Sequence, residues 1–315
     1  MKTETMNAAK TVIRDCMMVK PEEQLLILTD AGKLELAQVF AEAGRELGCD
    51  TVLVCGPVQM GGEMPALCAA ALDKADVALL ITSGSFTHTR ARADATARGC
   101  RIASMPTITE EIVNQTLNAD FDEVERISSI LTEKLTNCKK IHVTTKLGMD
   151  LTLYCQGRTG LADTGKLGYK GAFGNMPAGE AMVAPVESLG EGTIIVDGVV
   201  VGMGILEAPL TITMAGGKIT GVSGKQAAQF QAFIDQFDEN AKSIAEFGIG
   251  TNAKCHIMGN PLVDEKIFGT IHIACGNNLF MGGQQDSNMH YDMIINEPTV
   301  YLDDECVIRD GRHLY

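Results

Sequence analysis

The chain has 315 residues, 45% of them hydrophobic, and a mean hydropathy of +0.08, enough for a substantial core in one large or two ordinary soluble domains. Its 26 basic and 40 acidic residues leave a formal charge of −14, which argues against nucleic acid or an anionic membrane as partner. Ten cysteines with no CxxC pair, in a chain with no secretory leader, read as reduced thiols in a cytoplasmic protein.

The first 19 residues are charged throughout and lack the apolar run of a signal peptide. Thr5 to Val19 has the spacing of an amphipathic helix, stopped by Pro21. LLILTD (25–30), TVLVCG (51–56), VALLITSGS (77–85) and RIASMP (101–106) then read as buried strands. Helical patterns separate them at 34–47, 64–74 and 90–98, the first and last followed by the C-cap glycines Gly48 and Gly99. Residues 110–135 read as one or two charged helices. Repeated βα units predict an N-terminal doubly wound parallel sheet, a Rossmann- or flavodoxin-like α/β domain over 1–137. No GxGxxG or GxxxxGK[ST] motif marks a nucleotide site.

Such sheets bind ligands beyond the carboxyl ends of their strands. TSGSFTHTRAR (82–92) leaves the third strand at that edge, and His88, Arg90 and Arg92 are its candidate substrate-binding residues. The plainer reading of the same stretch is a helix start with Ser and Thr caps and solvated arginines.

From Lys139 the texture changes to short strands and glycine, predicting a C-terminal α+β domain over 138–315. IHVTTKLGMDLTLYC reads as a hairpin through Leu147-Gly148, and 191–222 as several strands with Asp-Gly and Gly-Gly turns. Asp197 and Glu207 interrupt the apolar stretch 193–214, so no membrane span is expected there. Gln226 to Phe247 has a helical pattern.

The stretch 264–292 holds the strongest chemical signal. Alternation in GTIHIAC puts Thr270, His272 and Ala274 on one strand face, and in HYDMII it puts His290 and Asp292 together opposite Tyr291. Two imidazoles and a carboxylate displayed this way form a candidate divalent-metal site. Gly276, Gly282 and Gly283 let the loop between them turn tightly or approach a ligand. Glu180, where a glycine turn enters an extended segment, and Glu246, read at a helix end, are two further candidate carboxylates.

NMPAGEAMVAP, EFGIGTN, DEKIFGTIHIACG and SNMHYDMII, in that order, resemble successive motifs of the aminopeptidase T family of metallopeptidases, and SFTHTRAR and GCRIASMP are similar to segments of its shorter members. The resemblance implies an N-terminal α/β domain, a C-terminal metal domain and a homodimer enclosing a cavity. It also implies metal ligation by Glu180, Glu246, Glu265, His272, His290 and Asp292, holding one or two Zn, Mn or Co ions. Glu246 and Glu180 would be the catalytic carboxylates of an aminopeptidase acting on short peptides through metal-activated water.

Two departures stand out. The family glutamate lies five residues before the histidine, whereas Glu265 lies seven before His272, and Leu279 stands where the family carries a catalytic tyrosine. Loss of such an oxyanion donor typically costs about 100- to 1000-fold. The related 2,5-dihydroxypyridine dioxygenases also lack that tyrosine, so the alternative reading is a non-haem Fe(II) ring-cleaving dioxygenase on His272, His290 and Asp292, with His88 and Arg92 as base and anion clamp. The 5% aromatic content is sparse for an aromatic pocket and weighs toward the peptidase. A third reading is a metal- or ligand-binding homologue without catalysis.

Overall fold

A computed structural model describes residues 2–60 and 62–315. Tertiary contacts divide the chain into two compact units, Met1–Glu123 with Gly165–Ala178, and Val124–Thr164 with Gly179–Tyr315.

In the first unit α1 (Lys2–Thr11) runs on through a π turn, Val12–Cys16, and ends ahead of Pro21. Four strands follow, β1 (Gln24–Asp30), β2 (Asp50–Gly56), β3 (Val77–Thr82) and β4 (Arg101–Pro106), all pairing parallel. Between and after them lie α2 (Leu34–Glu46), α3 (Ala66–Leu72), α4 (Arg90–Arg98) and α5 (Glu110–Thr116). Gly48 and Gly99 take positive φ past the ends of α2 and α4, a conformation that costs glycine nothing. Strand β3 is buried at every position, as a central parallel strand covered on both faces must be.

The expected boundary at 137/138 differs from the observed division for two reasons. A short strand, β8 (Phe173–Asn175), adds in parallel to β4 and completes a five-stranded sheet in the order β2-β1-β3-β4-β8. Within α6 (Phe121–Asn137), the buried face of Ile127, Leu131 and Leu135 belongs to the apolar core of the second unit.

That unit holds two antiparallel sheets. Its first strands are β5 (Lys140–Thr144), β6 (Asp150–Tyr154), β7 (Leu161–Asp163) and β9 (Glu180–Val183). Next come β10 (Glu191–Val196), β11 (Val199–Val200), β12 (Gly204–Ile205), β13 (Leu210–Ala215) and β14 (Lys218–Ser223). After α7 (Ala227–Ile234) come β15 (Ile244–Gly250), α8 (Pro261–Asp264), β16 (Ile271–Gly276) and β17 (His290–Ile295). The chain ends with β18 (Thr299–Leu302), β19 (Glu305–Arg309) and β20 (Arg312–His313). One sheet has the order β14-β13-β10-β6-β5-β18-β19-β20 and the other β12-β11-β17-β16-β15-β9-β7. Their facing side chains, among them Val143, Leu153 and Ile212 from one and Phe247, Ile273 and Met293 from the other, share one core.

Two local expectations are corrected. Asp197-Gly198 does not close a hairpin: β10 and β11 belong to different sheets, and the pair carries the chain from one to the other. Asp197 Oδ1 accepts from Asn296 N at 2.9 Å, and Gly198 lies where a Cβ would come 2.8 Å from Ile294 O, so close backbone approach explains the glycine. The helical pattern of 226–247 ends early, because α7 stops at Ile234 and β15 begins at Ile244. Glu246 therefore stands inside a fully buried strand, not at a helix end. No helix among the described residues is long and apolar enough to cross a membrane.

Candidate metal centre

Strands β9, β15, β16 and β17 are neighbours in the seven-stranded sheet, and alternation sorts their side chains onto two faces. Ala181, Val183, Phe247, Ile249, Ile271, Ile273, Tyr291 and Met293 point into the apolar core. Glu180, Glu246, His272, His290 and Asp292 occupy the alternate positions and share the opposite face. Register sets their spacing: Ala274 pairs with Glu246 on one side and Asp292 on the other, and Gly248 lies across from His272. Small residues there leave room. A Cβ at Gly248 would fall 1.9 Å from His272 Nε2, so the imidazole lies in a cradle that only glycine leaves open.

His272 Nε2 stands 3.1 Å from Glu246 Oε1 and 3.2 Å from Glu180 Oε2. His290 Nε2 stands 3.3 Å from Glu246 Oε2 and 3.7 Å from Asp292 Oδ1. The result is two triads, Glu180–Glu246–His272 and Glu246–His290–Asp292, joined by the two oxygens of Glu246. His272, expected beside His290 and Asp292, thus meets them through Glu246.

The charges in this cluster depend on one another. Burial disfavours a charged His272, yet the bond to Glu246 and the charge of Glu180 raise it to about 9. His290 is raised well above its ordinary value because Asp292 and Glu246 outweigh burial. Against the same burial, His272 and His290 hold Glu246 well below the usual carboxylate range. Burial pushes Glu180 up to about 8 and also raises Glu265.

Two residues of this cluster were not anticipated, Lys266 and Asp163. Asp163 on β7 lies directly across from Glu180 on β9, a pairing of like charges that needs compensation. Lys266 supplies it: its Nζ bonds Glu180, lies 2.8 Å from Glu265 Oε1 and 3.5 Å from Asp163 Oδ2. Glu265, expected as a metal ligand, follows α8 and belongs to neither triad; its Oε1 faces this ammonium. The sequence signal for Lys266 was its place beside Glu265, six residues before His272; Asp163 carried none.

His88, Arg90 and Arg92 belong to the first unit. His88 is exposed, and Arg90 points into solvent 3.6 Å from Asp94. Arg92 donates from Nε to Thr87 O at 2.7 Å and lies over the Phe173 ring, and the Thr89 side chain caps α4. In the second unit Leu279 sits on a 3-10 turn, 50% exposed. Its neighbour Phe280 stands edge-on to His290, ring centres 5.2 Å apart. Gly283 lies against the Asn278 side chain, which explains one glycine of this loop by packing.

The donors suit a divalent cation. His290 Nδ1 lies 2.7 Å from Asn277 O, which only accepts, so that nitrogen carries the hydrogen. In the neutral ring the Nε2 lone pair then faces two carboxylates, and acceptors face acceptors unless a proton or a metal ion stands between them. A ring N–H held by a backbone carbonyl, with the other nitrogen left to bind an ion, is the usual arrangement of a ligating histidine.

The family model NicX, 2,5-dihydroxypyridine 5,6-dioxygenase, matches residues 4–314. The 2,5-dihydroxypyridine 5,6-dioxygenase of Pseudomonas putida KT2440 is 24% identical over 282 residues, 84% of this chain and 78% of the relative. A solved structure of 2,5-dihydroxypyridine dioxygenase from Pseudomonas putida KT2440 superposes with a TM-score of 0.84 at 19% identity, covering 100% of this chain and 98% of that one. Wild-type AmpT from Thermus thermophilus superposes with a TM-score of 0.74 at 16% identity, covering both chains completely (100% each). At these identities the two structures share the fold.

Proposed function

The chain belongs to the 2,5-dihydroxypyridine 5,6-dioxygenase family, and on that premise we propose that it is a non-haem Fe(II) dioxygenase opening a dihydroxylated nitrogen heterocycle. In such a reaction the bond between C5 and C6 breaks and each carbon keeps one oxygen atom of O2. The observation that carries the reading is the meeting of His272, His290 and Asp292 around Glu246, a two-histidine, carboxylate-rich donor set of the kind non-haem iron oxygenases use. This reverses the weight that the sparse aromatic content lent to the aminopeptidase.

His272, His290 and Asp292 would hold the ion, with Glu246 between them. Bound there, Fe(II) would supply one-electron chemistry toward dioxygen and Lewis-acid contact to a ring hydroxyl. The protein's own groups orient and move protons. Asn277 O fixes the His290 ring, and Gly248 makes room for that of His272. Of the two candidate catalytic carboxylates, Glu180, whose Oε2 stands 3.2 Å from His272 Nε2, is the one proposed to exchange a proton with a ring hydroxyl. Glu246, held well below the usual carboxylate range, stays ionised and serves as the shared ligand. Phe280, 59% exposed beside His290, offers an aromatic edge to a flat substrate.

The test is oxygen uptake and loss of ring absorbance with 2,5-dihydroxypyridine after anaerobic loading with Fe(II). One O2 consumed per ring opened supports the reading. No turnover with iron bound sinks it, and hydrolysis of dipeptides by the Zn, Mn or Co form would restore the aminopeptidase. Binding without turnover of either would leave the non-catalytic homologue. Assembly as a homodimer is proposed alongside, with light scattering expected at about twice 33.6 kDa.

A further inference from the structure

Away from the donor cluster, two thiols of the second unit meet. Cys138 follows α6 and Cys155 follows β6, and their sulfurs stand 2.9 Å apart. Non-bonded carbon atoms pack at about 3.5–4.0 Å, and sulfur is the larger atom, so this contact is closer than core packing alone produces. Backbone bonds hold both residues in place. Cys138 N donates to Lys134 O at 3.0 Å at the end of the helix. Cys155 N donates to Lys139 O at 3.0 Å, one step beyond the pairing of Lys140 with Tyr154.

The two sulfurs differ in surroundings. Cys155 is fully buried in the apolar core, whereas Cys138 is 5% exposed and lines a cavity of about 310 Å³ with Lys134, Leu302, Asp303 and Glu305. The hydrogen bond between them lowers the Cys138 thiol against burial, and the same bond, together with burial, pushes the Cys155 thiol up. The thiol that reaches the cavity is thus the more easily ionised one, and the thiolate is the nucleophile.

We propose that Cys138 and Cys155 form a reversible dithiol–disulfide site whose oxidant is hydrogen peroxide, with Cys138 meeting the peroxide from the cavity and Cys155 resolving the product. In the first step the Cys138 thiolate attacks one peroxide oxygen. An S–O bond forms, the O–O bond breaks, and the departing hydroxide takes up the proton that Cys138 released, giving water. In the second step the Cys155 sulfur attacks the Cys138 sulfur. An S–S bond forms, the S–O bond breaks, and hydroxide leaves with the Cys155 proton as a second water. Two thiols lose two electrons and two protons, and one peroxide becomes two waters. A resolving thiol already in contact spares Cys138 the irreversible step to sulfinic acid. Neither sulfur belongs to the donor triads, so the site stands apart from the reaction proposed above.

The test treats the folded full chain with hydrogen peroxide, with chelator present so that iron generates no radicals. Catalase ends the exposure, and the protein is then unfolded, alkylated and mapped by peptide mass. The expected product joins the peptides of Cys138 and Cys155, two hydrogens lighter than their sum, and dithiothreitol reverses it. Cys155→Ala is expected to leave Cys138 as a sulfenic acid that dimedone traps and that passes on to sulfinic acid. Cys138→Ala is expected to leave Cys155 reduced under the same exposure. Both thiols alkylated in the oxidised wild type overturn the proposal, and so does Cys138 joined to any other cysteine. A sulfenic acid on Cys155 in Cys138→Ala overturns the roles given to the two. Should either variant fail to fold, the wild-type map decides alone.

Discussion

Among the described residues each unit buries one Lys or Arg side chain, and the two are partnered differently. In the first, Arg101 meets Glu23 through two parallel bonds of 2.8 and 2.7 Å and donates from Nε to Met17 O and from Nη2 to Met18 O. One charge meets one charge, and the geometry is closed. In the second, Lys266 faces Asp163, Glu180 and Glu265, with Glu246 and Asp292 beyond them on the same sheet face. A buried cluster that balances itself needs no further ion; one left with excess carboxylates needs another cation, and that need is a binding site.

The largest expected effect falls on the balanced pair. Arg101→Met leaves Glu23 without its partner and should cost about 3–5 kcal/mol of stability, read by denaturant unfolding, with bound metal per folded chain unchanged. Loss of metal in that variant would blur the distinction between the two clusters.

Next in size is removal of a donor from the unbalanced cluster. Outer-shell changes at metal sites cost about 10- to 100-fold in affinity, and His290→Ala or Asp292→Ala, which remove a direct donor, should exceed that while the first unit stays folded. Metal content at the wild-type level in both variants would show that the ion, if any, binds elsewhere.

A smaller effect is expected from Gly248→Ala. The added methyl must displace the His272 ring, since its Cβ would lie 1.9 Å from Nε2. Metal affinity should fall about 10- to 100-fold, with no new charge introduced. An unaltered affinity would mean the ring moves aside at no cost.

The mildest test is pH, where the two clusters should respond in opposite directions. Arg101 lowers the folded pKa of Glu23, so its contribution is present above the ordinary value of 4.5 and lost as pH falls through the depressed one. In the metal-free second unit, Glu180 rises from 4.5 to about 8 and His272 from 6.5 to about 9, so the folded form binds more protons than the unfolded chain. Stability there should fall as pH rises, most steeply from about 6.5 to 8 where the two windows overlap. Hydrogen exchange resolved by peptide, with chelator present, reads each unit separately; parallel responses would contradict the contrast.

Much of the site was legible because strand alternation is local. The period of two in GTIHIAC and HYDMII is enough to set His272, His290 and Asp292 on one face, whatever lies beside those strands. The βα rhythm of the first hundred residues likewise implied a parallel sheet, and one is present. Glu246 was misread as a helix end because AAQFQAFI supplies a true helical pattern just upstream, and its boundary with a buried strand leaves no periodic mark.

What the sequence determined by itself, then, is which side chains share a face within one element, since backbone sterics impose that on any neighbour. Tertiary structure alone decided which elements lie side by side. It brought Glu180 and Glu246 to the histidines, set Asp163 across from Glu180 and turned Glu265 to Lys266 instead of to either triad. It also made Asp197-Gly198 a passage between sheets instead of a hairpin. Pairing order depends on how the whole apolar surface is buried at once, and on where a buried charge finds its opposite, and both are sums over residues distant along the chain.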